Sequence, residues 1–294
     1  MMMVTAEKTP GGAAGFWGLA AFWLAGLLPF WIGTLLAGVA GFPISRAVGI
    51  LGTLAVSALI LAGTAGRDAF PAETHYPSLG LPPETAGKLA YAALGLAGLL
   101  GLLLQVVWRT GDLTLPLGGL GVLGGYFSFA PPLHWHRRGL GEAVGGLCFG
   151  ALPVAAGFYL QCGHLVTEVL VYGLTLTFGA FNVFLVHGFP YPGEEAAPRH
   201  GLAARVRPAA GGLIFTLANI LTIGGMVFCL LFPANPLPFR WTLWLLLGLA
   251  VVNQELVKRK AYLQEARVRL LGHLTLALQV GMGVVFLIMA GARL

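Results

Sequence analysis

Residues 125–161 read Gly-Tyr-Phe-Ser-Phe-Ala-Pro-Pro-Leu-His-Trp-His-Arg-Arg-Gly-Leu-Gly-Glu, followed by the apolar run Ala143 to Gln161. The stretch decides the fold because it holds the end of one apolar run, a short basic turn and the start of another. Pro131 and Pro132 have no N–H to donate and stop a helix. His134, His136, Arg137 and Arg138 make the turn a basic hairpin beside Trp135, where the two histidines are expected as interfacial side chains. Gly139-Leu140-Gly141-Glu142 opens the next run, with Glu142 in its first turn, facing the positive end of the helix dipole.

Outward from this stretch the pattern repeats. The chain has 294 residues, of which 57% are hydrophobic and 10% charged. Soluble domains carry about 25% charged residues. With a mean hydropathy of +0.83, the composition is that of a polytopic membrane protein. The 44 glycines agree, since small residues let membrane helices approach closely. Met1–Gly12 is a short polar tail without the apolar core and cleavage site of a secretory signal. Cys148, Cys162 and Cys229 stand singly, so neither a disulfide framework nor a zinc site is expected.

A membrane span needs about 20 mostly apolar residues. Nine stretches qualify: 14–40, 46–66, 86–108, 113–131, 141–161, 166–188, 210–232, 239–257 and 270–291. Polar, proline-rich loops lie at Phe70–Pro83 and Tyr191–Pro208. No internal repeat divides the chain, so residues 1–294 are read as one domain. Of the 17 Lys and Arg residues, all but Arg46, Arg109, Arg240 and Arg293 fall on the side of the N-terminus. Positive residues favour the cytoplasmic side, which places the N-terminus in the cytoplasm and the chain in the inner (cytoplasmic) membrane. The charge follows topology, and no nucleic-acid partner is expected. The Lys258–Arg269 run suits anionic lipid headgroups.

The scarce acids gather in the loops on that side: Asp68, Glu73 and Glu84 around the first, Glu194 and Glu195 in the second. Polar residues inside spans, such as Asn182, Asn219, Asn253 and Gln279, are expected to bond between helices.

Pro131-Pro132-Leu133, Trp135 and Arg138-Gly139-Leu140-Gly141-Glu142, with Phe149-Gly150 and Gly157-Phe158-Tyr159 beyond them, resemble the middle of UbiA-type membrane prenyltransferases. The branch they resemble most is the MenA-like one, which prenylates 1,4-dihydroxy-2-naphthoate on the way to menaquinone. The resemblance implies an all-α integral membrane fold, nine transmembrane helices around a central cavity capped by the loops after spans 2 and 6. It also implies transfer of a polyprenyl group from its diphosphate to an aromatic quinone-precursor acceptor. In that chemistry carboxylates hold Mg²⁺ on the leaving diphosphate, basic side chains take up the remaining charge, and an apolar groove takes the isoprenoid.

The family carries two aspartate-rich motifs, one (N-D-x-x-D-x-x-x-D-like) after span 2 and one (D-x-x-x-D-like) after span 6; carried over residue by residue, Asp68 stands for the first aspartate of the first motif. Arg67 replaces its asparagine, Pro71 and His75 replace its other aspartates, and Glu73 is out of register. In the second loop Glu194 replaces one aspartate and Pro190 the other, with Arg199 where a lysine is usual. The resemblance thus implies Asp68, Glu73 and Glu194 as catalytic carboxylates, joined by Glu195 as metal ligands. Arg67, Arg137, Arg138, Asn182, His187, Arg199 and Arg205 are implied as substrate contacts. Each motif lacks at least one carboxylate, which leaves a second reading open. In it the chain is a non-catalytic UbiA-like subunit that binds quinone, pigment or lipid within a larger membrane complex.

Overall fold

The computed structural model describes residues 13–70, 78–189, 201–231 and 237–294. All regular structure among them is helical: α1 (Ala13–Val39), α2 (Arg46–Ala69), α3 (Pro83–Leu102), α4 (Thr114–Gly125), α5 (Gly141–Cys148), α6 (Ala151–Cys162), α7 (Thr167–His187), α8 (Leu202–Arg205), α9 (Pro208–Leu231), α10 (Leu237–Lys258) and α11 (Glu265–Gly291). Among the described residues seven segments are long and apolar enough to cross a membrane, Gly141–Cys162 counting as one of them. The chain is a multi-pass membrane protein.

Each of the nine expected stretches coincides with helix, but two stand apart from the seven. Helix α4 has 12 residues and is short for a span. Helix α10 carries Arg240, Glu255 and Lys258 within 22 residues. The stretch expected as one helix over 141–161 is two, broken at Phe149–Gly150. An atom added as Cβ on Gly150 would lie 2.4 Å from the backbone nitrogen of Thr177, so α7 crosses directly over the break. The polar groups freed there find partners on neighbouring helices. The Ala151 N–H donates to Thr177 Oγ1 (2.9 Å), and Gln279 Nε2 donates to the Phe149 carbonyl (3.3 Å). A broken helix at membrane depth requires such satisfaction.

Small residues set the packing. A Cβ on Gly33 would sit 1.9 Å from the Val154 carbonyl oxygen, and one on Gly157 would sit 1.9 Å from that of Phe30, so α1 and α6 touch backbone to backbone. Between α2 and α3 the buried surface is Ala58, Ala62, Ala65, Ala86, Ala90 and Ala93. Asn219 Nδ2 donates to the Ala250 carbonyl (3.0 Å) and to Gln254 Oε1 (3.2 Å), while Gln254 Nε2 donates to Thr216 Oγ1 (2.9 Å). These bonds join α9 to α10, as expected for Asn219. Large apolar side chains such as Leu99, Leu120, Leu217 and Leu245 are exposed and form the lipid-facing surface. Arg293 pairs with Glu168 at 2.7 Å and pins the end of the chain to the start of α7.

Candidate functional site

The ends of α2, α4 and α7 and the starts of α5 and α8 converge at one pole of the bundle. Tyr126, just past α4, packs its ring against Phe70 after α2, with centroids 6.4 Å apart. The hairpin of residues 131–139 follows; the Trp135 N–H donates to the Phe127 carbonyl and its indole Nε1–H to that of Leu123. Gly139 turns the chain with φ +77°, a left-handed conformation natural to glycine.

Two cavities lie beneath this pole. The upper one, about 60 Å³, is lined by Phe22, Phe129, Phe149 and Phe184, with Arg67, Thr64, Ser128 and His136 as its polar members. The lower one, about 470 Å³, runs among α2, α3, α4 and α6 and is almost wholly apolar, Thr114 aside. Both are walled by Leu59, Ile60, Gly125, Cys148 and Phe149, so they adjoin along a shared side. Gly98, Gly118 and Gly119 line the larger cavity, and a Cβ on any of them would meet nothing within 4 Å. The space is deep and greasy, with cationic and imidazole groups only at its head.

Of the expected site residues, the structure brings Arg67 to the head of the upper cavity. Asp68 beside it is 9% exposed, and its carboxylate is fully engaged. Oδ1 accepts from Ser78 Oγ (2.6 Å) and from Arg67 Nη1 (3.4 Å); Oδ2 accepts from the N–H groups of Leu79 (2.9 Å) and Leu81 (3.3 Å). A carboxylate has about four lone-pair positions, and all four face donors. In the structure the Asp68 carboxylate anchors the far end of the first loop.

Arg137 and Arg138 are exposed on the hairpin, as is Arg205 at the end of α8. Arg205 crosses to the hairpin, donating to the Arg137 carbonyl and lying over Gly139, whose added Cβ would be 3.1 Å from its Cδ. Asn182 is buried in α7 and lines neither cavity. His187 Nδ1 is 2.8 Å from the Val183 carbonyl, and the ring faces Gly272 of α11 rather than the cavities. Glu73, Glu194, Glu195 and Arg199 lie outside the described residues. Among the described residues no group of three His, Cys, Asp or Glu side chains is placed to hold a metal ion.

Two residues matter more than their sequence context suggests. His136, expected at the interface, is 1% exposed and lines the upper cavity. Its ring lies 5.7 Å, centroid to centroid, from Phe129. Gly141 permits this, because a Cβ there would come within 2.9 Å of His136 Cα. Its neighbour His134 stays outside; burial, then the charges of Arg137 and Arg138, hold its pKa below the usual histidine value. Glu142 is completely buried. Its Oε1 accepts from the N–H groups of Leu202 (2.7 Å) and Ala203 (3.4 Å), tying the start of α5 to the second loop. Its Oε2 is buried without a hydrogen-bond partner among the described residues. An acid at the start of an apolar run is the signal that marks such a residue.

No family model matches the chain. Over 130 residues it is 31% identical to the 2-carboxy-1,4-naphthoquinone phytyltransferase of Synechocystis sp., a match that spans 42% of this chain and 41% of that one. Its fold is close to that of a UbiA homologue from Aeropyrum pernix K1 (TM-score 0.66, 15% identity, 91% of this chain and 97% of that one). A digeranylgeranylglyceryl phosphate synthase is equally near (TM-score 0.66, 13% identity, 92% and 93%). A UbiA homologue from Archaeoglobus fulgidus, solved with Cd²⁺ bound, has a TM-score of 0.56 at 15% identity over 92% and 97%. The chain therefore has the UbiA fold, in agreement with the resemblance carried by Gly125–Gln161.

Proposed function

We propose that this chain, with its UbiA fold, is a membrane prenyltransferase that moves a polyprenyl group from its diphosphate to an aromatic quinone-precursor acceptor. The observation that carries the reading is the pairing of an apolar cavity of about 470 Å³ with an adjoining chamber whose head holds Arg67 and His136. Each methylene buried from water contributes about 0.8 kcal/mol, so an isoprenoid tail belongs in the large cavity. Its charged end then lies at the pole, where Arg67, Arg137, Arg138 and Arg205 supply charge-assisted bonds to a diphosphate; Arg199, outside the described residues, is a further candidate by its place in the sequence. In this reading the ring of the acceptor is placed where the two cavities adjoin along Phe149, close to the allylic carbon. The phytyltransferase match supports an acceptor of the naphthoquinone kind.

A divalent ion, Mg²⁺, belongs to this reading, and when bound it would neutralise the departing diphosphate. Among the described residues no group of three His, Cys, Asp or Glu side chains is placed to hold it, and Asp68 already accepts four hydrogen bonds. We assign the ligands to Glu73, Glu194 and Glu195, with Asp68 setting the loop that carries Glu73. The chain's own contribution, apart from any ion, is to hold the tail, orient the ring and keep water from the reacting carbon.

The test is transfer of a labelled prenyl diphosphate to 1,4-dihydroxy-2-naphthoate or a related phenol by purified protein in lipid nanodiscs with Mg²⁺. Product formation is expected. No turnover with any donor or acceptor, combined with stoichiometric quinone or pigment in the purified protein, would instead establish the non-catalytic reading.

A further inference from the structure

The head of the upper cavity holds the His136 imidazole, and the buried Glu142 carboxylate comes close to the same glycine, Gly201, without lining the cavity. A Cβ built on Gly201 would lie 2.8 Å from Glu142 Oε1 and 2.9 Å from His136 Cε1, so both side chains press on the same glycine. His136 reaches the cavity, whereas Glu142 does not line it. Glu142 is held by Leu202 and Ala203 through one oxygen, and its other oxygen is buried without a partner among the described residues. A buried carboxylate with an unsatisfied oxygen is costly to keep. An imidazole that carries a positive charge for part of a reaction cycle gives such a carboxylate a purpose. At close range in a low-dielectric site a carboxylate stabilises an imidazolium through its charge, without meeting the substrate itself.

We infer that His136 is the general base that activates the hydroxyl of the aromatic acceptor, and that Glu142 is a positioning residue stabilising its protonated form. The inference rests on the prenyltransferase reading. In the step, the acceptor hydroxyl gives its proton to the imidazole. An electron pair of the ring carbon forms the new C–C bond to the allylic carbon, and the allylic C–O bond breaks, its pair leaving with the diphosphate. The ring regains aromaticity by losing from the substituted carbon either carbon dioxide or a proton, the proton passing to the released diphosphate, and the imidazolium returns its proton to the oxygen. Among the described residues, the charged and titratable groups near His136 are Arg67 from α2, His134, Arg137 and Arg138 from the hairpin, Cys148 and Glu142 from α5, and Arg205 from α8.

General-base removal is worth about 10²- to 10⁴-fold. His136→Asn and His136→Gln are both expected to lower kcat by at least about 100-fold, with the KM for the prenyl diphosphate little changed. Glu142→Gln keeps the acceptor for Leu202 but removes the charge. It is expected to move the acid limb of the kcat profile to lower pH, since an imidazolium without its carboxylate releases its proton more readily. A merely structural glutamate leaves that limb in place, and an unmoved limb overturns the positioning role. A second measurement needs no turnover: a nitronaphthol is bound at a pH where the free dye is neutral, and its spectrum is recorded. Phenolate absorbance in the native protein, absent from both His136 variants, is expected. A neutral spectrum in the native protein, or phenolate that survives in His136→Asn, overturns the inference. Lack of prenyl transfer by the native protein counts against the enzyme reading alone, because the dye experiment still decides the role of His136.

Discussion

Glu142 accepts a 2.7 Å hydrogen bond from the backbone N–H of Leu202, a residue 60 positions further along the chain. The bond joins the hairpin side of the pole to the second loop and fixes where α8 begins. Glu142→Ala leaves the N–H groups of Leu202 and Ala203 without their acceptor at a buried site, at about 1–3 kcal/mol for each unsatisfied group. A fall in thermal stability in detergent is expected, together with faster protease cleavage near 201–207. Glu142→Gln keeps the acceptor and should show neither effect.

Asp68 has a related task at the first loop. Its carboxylate holds Ser78, Leu79 and Leu81. Asp68→Asn loses one charged acceptor oxygen and presents an N–H₂ to the donors of Leu79 and Leu81 or of Ser78. Bonds to charged groups are worth about 1.5–3 kcal/mol, so stability should fall measurably and transfer with it. The Mg²⁺ concentration giving half-maximal rate should stay where it is. A large increase in that concentration would return Asp68 to the metal.

The helices were legible from the apolar runs, because lipid demands continuous helix and leaves long signatures. The family resemblance was equally local, carried by the one stretch Gly125–Gln161. The break at Phe149–Gly150 was not legible, since it depends on Thr177 and Gln279, which reach it from distant helices. The burial of His136 was hidden for the same reason: its surroundings come from Phe129, Gly141 and Gly201. A histidine between two arginines and a tryptophan reads as interfacial until the second loop is placed over it. Motif position pointed Asp68 towards a metal, and only the chain returning at Ser78–Leu81 shows where its oxygens go.

The excess of Lys and Arg at this pole predicts that it is cytoplasmic. In a background lacking Cys148, Cys162 and Cys229, a cysteine at exposed Arg138 should resist a membrane-impermeant thiol reagent applied from outside. One at exposed Leu165, at the opposite end, should react. The reverse pattern would invert the topology.

The large cavity should set which donors fit. Gly118 lines it and has open space around the position of a Cβ. Gly118→Leu therefore adds volume without pressing on backbone, unlike Gly157→Ala, where the new atom would meet the Phe30 carbonyl oxygen at 1.9 Å. Folding should survive the first change and fail or weaken by about 1–3 kcal/mol with the second. With Gly118→Leu, rates for long prenyl diphosphates should drop relative to short ones. Equal losses for all chain lengths would place the tail elsewhere.

Arg67 separates donor binding from the rest of the site. Its side chain is 15% exposed, lies 3.4 Å from Asp68 and lines the head of the upper cavity. Arg67 pairs with Asp68 and still lines the chamber, and in the proposed reaction a diphosphate is the anion it would meet there. Removing one charge-assisted contact costs about 1.5–3 kcal/mol, equivalent to about 10- to 150-fold in affinity. Arg67→Ala should thus raise the KM for the prenyl diphosphate by about that factor while the KM for the aromatic acceptor changes little. Arg67→Lys keeps the charge but loses the planar fork, so it should recover only part of the loss. The neighbouring salt bridge must be separated from this effect, since Arg67→Ala also takes a donor from Asp68. That pairing is one of four bonds to the carboxylate, and the remaining three still hold the loop. A thermal midpoint close to that of the native protein is therefore expected alongside the raised KM. An unchanged donor KM in a well-folded Arg67→Ala protein would move the diphosphate away from this end of the chamber.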